Sequence, residues 1–139
     1  MDEWENEPNR KEGKYKGMTY LVLRHPTSLH LCGYVRLPER SRLRKIGYDD
    51  IRIDTHCGLT FAGNLSNEKG YWIGFDCAHS GDISPYMWKG YDYGTKVIFK
   101  DYTYKNIAYV EKWCRKMIDQ LKKGVWVSVR VERKYRVRC

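Results

Sequence analysis

Four side chains that could bind a metal ion or move a proton lie in two nearby segments of this sequence. Asp76, His79 and Asp82 follow an apolar run at intervals of three residues, and His56 opens a second, glycine-containing segment. If the strands that carry these segments pair, all four side chains can converge at one end of a sheet. Imidazoles and carboxylates placed together there could bind a divalent metal, form an acid–base pair, or brace the glycine-rich turns.

The sequence leaves these three roles open. The spacing D-x-x-H-x-x-D matches no established zinc pattern, and we predict no cofactor, with a divalent metal on His56, Asp76, His79 and Asp82 as the alternative. Cys57 adjoins His56, which invites a thiol nucleophile. Neighbours on a strand point to opposite faces, however, so we expect the two side chains to diverge. No catalytic residue is assigned.

Residues 80–104 are predicted to form a long loop rich in aromatic residues, and long loops are often functional. Tyr86, Trp88 and Tyr91 are candidates to stack on a base. The alternative is that these rings lie on the sheet and complete the core of a small domain. His25 and His30 flank a predicted hairpin turn, and we expect both at the surface without a special role.

The net charge of +9 favours anionic partners such as nucleotides, nucleic acid or an acidic protein surface. The five cysteines form no C-x-x-C pair, which is typical of free thiols in a reducing cytoplasm. No apolar stretch is long enough to cross a bilayer, and the acidic N-terminus lacks the apolar segment of a secretory signal. We therefore expect a cytoplasmic protein without a membrane partner.

Periodicity predicts an α+β fold in a single domain, with an antiparallel sheet of about five strands and one long helix packed on it. A hairpin is expected from Tyr20–Leu23 and residues 29–37. The helix is expected after residue 104, with Thr103 as its cap, Gly124 just past its end, and an apolar stripe spaced by three and four residues. The predicted parts are a flexible acidic arm (1–14), the α+β domain (15–124) and a basic C-terminal strand (125–139).

The C-terminal strand is expected to have two different faces. Most odd positions from Val125 onward carry apolar residues that could pack on the core or join two copies of the chain in a homo-oligomer, namely Val125, Val127, Val129, Val131, Tyr135 and Val137. The even positions supply bases that could contact phosphate or nucleic acid, namely Arg130, Lys134, Arg136 and Arg138. On an edge strand, the same charges could serve only to prevent aggregation.

The segments HCGLTFAG (56–63) and WIGFDCAHSGD (72–82) resemble an uncharacterised family of small phage and bacterial proteins. The family pattern is close to H-G-G-L-T-[YF]-[SA]-G followed by W-x-G-F-D-x-A-H-x-G-D, and YDDI at 48–51 and the helix from Tyr104 to Cys114 also follow it. The chain departs from the pattern at Cys57, where the family has glycine. The resemblance implies a cytoplasmic domain of phage or bacterial origin, and it implies no particular reaction.

These observations favour a phage-type binding protein, a host-defence antagonist that captures a nucleotide-like or phosphorylated ligand. The expected pocket residues are His56, Thr60, Asp76, His79, Asp82, Tyr86, Trp88 and Tyr91. One alternative is a metal-dependent phosphodiester hydrolase. The other is an anti-CRISPR-like inhibitor that occludes a host protein or a nucleic-acid complex.

Overall fold

Two apolar runs separated by His-Pro-Thr-Ser form the central hairpin of the main sheet, as predicted. The computed structural model describes residues 3–89 and 100–128, and the backbone of Lys134–Val137. Tyr91, Arg130 and Arg138 therefore lie outside the described residues, and so do the side chains of Lys134 and Arg136.

The main sheet is antiparallel and has five strands in the order β1-β2-β3-β6-β5. This architecture confirms the predicted α+β fold. The apolar run before Asp76 forms β6, which is paired on both edges, and four of its six residues are buried. The strands of this sheet are β1 (Arg10–Tyr15), β2 (Met18–Arg24), β3 (Leu31–Leu37), β5 (Phe61–Asn64) and β6 (Tyr71–Asp76).

One long helix, Ile107–Lys123, packs on β2 and β3. It follows two short helices, α1 (Glu3–Asn6) and α2 (Pro85–Lys89), and is called α3. Its buried apolar residues step by three and four, which is the pattern of a helix with one apolar face: Ile107, Val110, Cys114, Met117, Ile118 and Leu121. Gly124 ends the helix with a φ of 94°, as predicted. The cap is Asn106, whose side chain accepts a hydrogen bond from the Tyr109 amide. Thr103 was the wrong choice because it lies three residues before the cap.

Gly33 lies where α3 approaches the sheet most closely. A Cβ atom at this position would lie 2.6 Å from the Phe75 ring and 2.8 Å from the Val110 side chain. The sequence predicted a bulge or a close neighbour at Gly33. The structure shows regular pairing of Gly33 with Phe75 and Val22, so the close neighbours are side chains.

The prediction of a flexible arm over residues 1–14 is wrong for most of its length. Residues 3–6 form α1, and β1 pairs with β2 along its whole length. The acidic side chains have partners: Glu7 accepts a hydrogen bond from the Ile107 amide at 2.8 Å and another from the Tyr104 hydroxyl. Composition suggested disorder because these partners lie about 100 residues away in the sequence.

The C-terminal segment forms two strands where one was predicted. A second sheet has the order β4-β7-β8, with β4 (Ile51–Arg52), β7 (Val125–Ser128) and β8 (Lys134–Val137) all antiparallel. Val125 and Val127 are buried in the same core as α3. The predicted boundary at residue 124 therefore does not separate two packing units. The two 3-10 turns Arg42–Lys45 and Tyr48–Asp50 lead into β4.

Within residues 3–89 and 100–128, no helix is long and apolar enough to cross a membrane.

Candidate functional site

The four predicted polar residues meet at one end of the main sheet. Asp76 is the last residue of β6, where it pairs with Cys32 of β3. The chain then turns through His79 to Asp82, and the Asp82 amide donates to the His79 carbonyl at 2.9 Å. His56 reaches the same place from the turn 55–58. The four side chains therefore converge at one end of the sheet, which the sequence analysis expected if the strands paired.

Asp82 is the buried centre of this site. Its side chain is 1% exposed, and its Oδ2 atom lies 2.7 Å from His56 Nε2 and 3.1 Å from the His79 amide. Burial raises the pKa of Asp82, but hydrogen bonds from His56, the His79 amide and Lys105 outweigh that effect, so the pKa is lowered. Asp82 is therefore an anion that holds two histidine-bearing turns together.

Lys105 balances the charge of Asp82. Its Nζ atom lies 3.0 Å from Asp82 Oδ1 and also donates to the Gly81 and Thr103 carbonyls. A parallel bridge between Asp82 and Thr103 places Lys105 beside the carboxylate. The buried carboxylate is thus paired and hydrogen-bonded, which is the usual condition for a charge in a protein interior.

Both ring nitrogens of His56 have partners. Nε2 faces Asp82, and Nδ1 lies 2.7 Å from the Tyr109 hydroxyl on α3. A neutral ring with its proton on Nε2 donates to the carboxylate and accepts from the hydroxyl, so no charge on His56 is needed. Asp82 and Tyr109 together therefore fix the orientation and the tautomer of His56.

His79 is held less tightly than His56. Its Nδ1 atom lies 3.4 Å from Asp76 Oδ1 and 3.7 Å from Asp82 Oδ2, and it is buried without a hydrogen bond among the described residues. The side chain as a whole is 30% exposed. Asp76 accepts instead from the Ala78 amide at 3.1 Å. His79 is thus an accessible imidazole flanked by two carboxylates, with one buried nitrogen unsatisfied.

The expected divergence of His56 and Cys57 is wrong. Cys57 Sγ lies 3.7 Å from His56 Nε2, because residues 55–58 form a turn and not a strand. Cys57 adopts a φ of 55°, in the left-handed region, which swings its side chain back toward the imidazole. The residue is exposed, and partial desolvation raises the pKa of its thiol.

Three potential metal ligands lie together at this point. One ligand atom each from His56, Cys57 and His79 falls within 4.8 Å of the other two. The predicted set was His56, Asp76, His79 and Asp82, so the structure keeps both histidines and adds Cys57. The two carboxylates lie beside this group and contact the imidazoles directly. The residues could therefore hold a divalent ion of the type that prefers nitrogen and sulfur ligands.

The predicted aromatic residues occupy other positions. Tyr86 is 60% exposed on α2, where its amide donates to the Ser28 carbonyl. Trp88 lines a small cavity of about 180 Å³ with Trp4 and Tyr104. Thr60 lies beside β6, where its amide donates to the Gly74 carbonyl, and its side chain has no hydrogen bond to the described residues. No described contact joins these three side chains to the cluster.

His30 also differs from its prediction. It is buried, at 7% exposure, and it stacks on His25 at 4.9 Å, while Ser28 Oγ lies within reach of Nδ1 in both rings. Burial, followed by the neighbouring His25, lowers the pKa of His30. All four histidines of the chain therefore lie at the same end of the main sheet.

Sequence reasoning missed three features of the site: Lys105, Tyr109 and the approach of the Cys57 side chain to His56. Lys105 and Tyr109 are four residues apart around the start of α3, which places them on one side of the chain. A signal for the turn was present in Cys57-Gly58, since a glycine beside a short polar segment is typical of left-handed backbone.

A basic cleft lies away from this cluster. Its volume is about 800 Å³. Its lining includes the basic residues Arg36, Arg44 and Lys69, the ring of Tyr71, and one acidic residue, Glu39. Arg36 donates to Thr19 Oγ1 and lies over the Trp72 ring, and Arg44 lies over Tyr71. These contacts hold two guanidinium groups in fixed positions at the surface.

No protein-family model, no curated protein and no solved structure matches this chain. The resemblance to phage and bacterial proteins, the cytoplasmic location and the roles as host-defence antagonist or inhibitor stay predictions.

Proposed function

We propose that this protein is a zinc-dependent hydrolase that acts on phosphodiesters, with the metal bound by His56, Cys57 and His79. The observation that carries the proposal is the meeting of one ligand atom each from His56, Cys57 and His79 within 4.8 Å. Separately, Nδ1 of His79 is buried without a hydrogen bond among the described residues. A metal ion bound through Nδ1 would supply the partner that this buried polar atom lacks.

The ligand types favour zinc. Zinc binds imidazole at about 2.0 Å and thiolate at about 2.3 Å, so neighbouring ligand atoms of a tetrahedral site lie about 3.5 Å apart. The 3.7 Å between Cys57 Sγ and His56 Nε2 already fits this separation. His79 follows in a surface turn, where a small rotation of the ring would complete the set.

The residues around the three ligands suit a metal site. Tyr109 contacts the far nitrogen of His56, and such partners commonly orient metal-binding histidines. Binding through His56 Nε2 would break its hydrogen bond to Asp82 and move the ring proton to Nδ1, where it would donate to the Tyr109 hydroxyl. Cys57 would release its thiol proton, since zinc binds the thiolate and the neutral imidazole. Asp82, which now accepts from His56 Nε2, would then be free to accept a proton from a bound water molecule.

Three protein ligands favour a catalytic role over a structural one. Structural zinc sites have four protein ligands, whereas catalytic sites keep one position open for water or substrate. Zinc lowers the pKa of bound water and polarises phosphoryl oxygens. The net charge of +9 would attract a phosphodiester to the protein.

Metal content is the first test. We expect one zinc ion per chain by native mass spectrometry after incubation with zinc and removal of excess metal. The variants Cys57→Ser and His79→Gln should each lose at least 90% of the bound zinc, because each removes one of three ligands. His25→Gln is the matched control, since it alters an exposed histidine at the same end of the sheet. Equal loss in the control, or no zinc in the parent protein, would refute the metal site.

Hydrolysis of bis(4-nitrophenyl) phosphate is the second test. We expect zinc-dependent release of nitrophenolate that stops with chelator and is absent in His79→Gln. If the protein binds zinc but hydrolyses neither this diester nor a short oligonucleotide, the metal site would stand and the assignment as a hydrolase would be wrong.

The second candidate is capture of an anionic ligand without turnover, as the sequence first suggested. The basic cleft of about 800 Å³ favours it, because Arg36, Arg44 and Lys69 present three cations around one space. Isothermal titration with adenosine monophosphate would test this role. We expect binding that weakens about tenfold in Lys69→Gln and is unchanged in His79→Gln; the reverse order would place the ligand at the histidine cluster.

A further inference from the structure

The outer face of the three-stranded sheet carries an exposed indole in a row with two arginine positions. The register of the sheet places Arg52 of β4 opposite Trp126 of β7, and Trp126 opposite Arg136 of β8. Val125 and Val127, on either side of Trp126 in the sequence, are buried in the core. Because side chains alternate along a strand, Trp126 must point away from the core, and it is 53% exposed.

The arginine of this row is held in place beside the indole. Arg52 is exposed, and its Nε atom donates to Ser128 Oγ at 2.7 Å, across the same face of the sheet. No acidic side chain pairs with Arg52 in the described part of the chain, although Asp49, Asp50 and Asp54 are close in sequence. The guanidinium group therefore keeps its charge available for a partner outside the protein.

The rest of this sheet adds positive charge. Lys134 is paired with Ser128 at the next position of the register. The sequence from residue 129 to 139 contains five basic residues and one acid, Glu132. Trp126 is one of the large aromatic residues that are exposed in the described part of the chain, with Tyr48 and Tyr86. What distinguishes it is Arg52, which lies opposite it in the register and has no acidic partner among the described residues.

We propose that this face binds single-stranded nucleic acid, with a nucleobase stacked on Trp126 and a phosphate contacted by Arg52. Proteins that bind single strands combine aromatic platforms with a positive surface along the backbone, because every base has a flat face and every nucleotide has a charge. The indole explains a preference for unpaired bases, and the cations explain an anionic partner. An apolar protein partner would leave the charge of Arg52 beside Trp126 unexplained. This inference does not depend on the proposed metal site.

The experiment is fluorescence anisotropy with a labelled 15-nucleotide oligo-dT, carried out with chelator present. We expect Trp126→Ala to weaken binding about 5- to 100-fold, the range for losing one stacked base. Tyr86→Ala is the matched control, because it removes another exposed ring from a different surface. Trp126→Phe should retain most of the affinity. Both Trp126 variants should keep the parent melting temperature, since the indole is exposed.

Two further measurements are the salt dependence of the binding and the affinity for a duplex. Arg52→Gln should lower the salt dependence of log Kd by about 0.7, the value for one phosphate contact on a single strand. Lys14→Gln makes the same change in net charge elsewhere and should leave the slope near the parent value. A duplex of the same length should bind more weakly than the single strand.

The proposal fails if the parent protein does not bind the oligonucleotide, if the duplex binds as tightly as the single strand, or if Tyr86→Ala matches Trp126→Ala. The variant His79→Gln separates this site from the metal site. It should bind oligo-dT like the parent protein, so loss of zinc or hydrolysis would leave this inference intact.

Discussion

Cys57 Sγ lies 3.7 Å from His56 Nε2, although the two residues are neighbours in the sequence. The contact accompanies a φ of 55° at Cys57, a left-handed conformation that residues other than glycine, asparagine and aspartate seldom take. This conformation places the Cys57 thiol beside a buried imidazole, as the proposed zinc site requires. The first prediction follows from this backbone conformation.

Cys57→Gly should stabilise the fold and abolish zinc binding. Glycine takes the left-handed conformation without a steric cost, so we expect the free energy of unfolding to rise by about 1 kcal/mol. Urea denaturation with and without zinc measures both effects. Cys57→Ala is the control, because it removes the thiol and keeps the strained Cβ. Equal stability of the Gly and Ala variants would show that the turn is unstrained.

Asp82→Asn should destabilise the protein by about 3 kcal/mol, because it leaves the Lys105 ammonium without its anion and weakens the bonds to His56 and His79. Thermal denaturation at pH 7 measures the loss. Asp76→Asn is the matched control. Asp76 is partly exposed, and an asparagine oxygen can still accept the hydrogen bond from the Ala78 amide. A loss in Asp76→Asn as large as in Asp82→Asn would contradict the central role given to Asp82.

Protonation of His30 should lower the free energy of unfolding in mild acid. Burial lowers the pKa of folded His30, so the unfolded chain binds protons more readily below its ordinary pKa of about 6.5. The charges near it are His25, Asp76, His79 and Asp82. Stability is then fully present above this pKa and falls as the pH decreases through the folded value. In urea titrations at pH 7.5 and 5.5, His30→Gln should show a smaller decrease than the parent protein, and an equal decrease would exclude His30 as the cause.

Gly33→Ala should destabilise the fold by about 2 kcal/mol. The added methyl group would overlap the Phe75 ring and Val110, which pack α3 against the sheet. Gly47→Ala provides the comparison, because a Cβ at Gly47 meets no atom within 4 Å. Chemical denaturation of both variants checks the difference, and similar stability of the two would show that the helix can move away from the sheet without cost.

The local parts of this fold were predictable from the sequence. The apolar stripe of α3 and the alternation in β3 follow from the periods of a helix and a strand. The five-stranded antiparallel sheet followed from the same reasoning. The convergence of His56, Asp76, His79 and Asp82 was expected only if the strands that carry them pair, and His56 in fact reaches the site from the turn 55–58. The predictable features depend on neighbours in the sequence or on simple strand pairing.

The remaining features depend on partners distant in the sequence or on single dihedral angles. The acids near the N-terminus looked disordered because their partners, such as the Ile107 amide and Arg24, are not adjacent. The approach of Cys57 to His56 depends on one positive φ, which alternation along a strand does not anticipate. Lys105 joined the site through the bridge between Asp82 and Thr103, which no local pattern indicates.

The N-terminal strand and α3 are tied together across the length of the chain. Glu7 bonds to Ile107, Lys11 to Glu111 and Tyr15 to Asp119, each across 100 residues or more. During synthesis the first strand must therefore leave the ribosome long before its partner helix exists. Contacts this distant in sequence slow folding, so we expect the native state to form only after α3 has left the ribosome, with early segments exposed to chaperones in the interval.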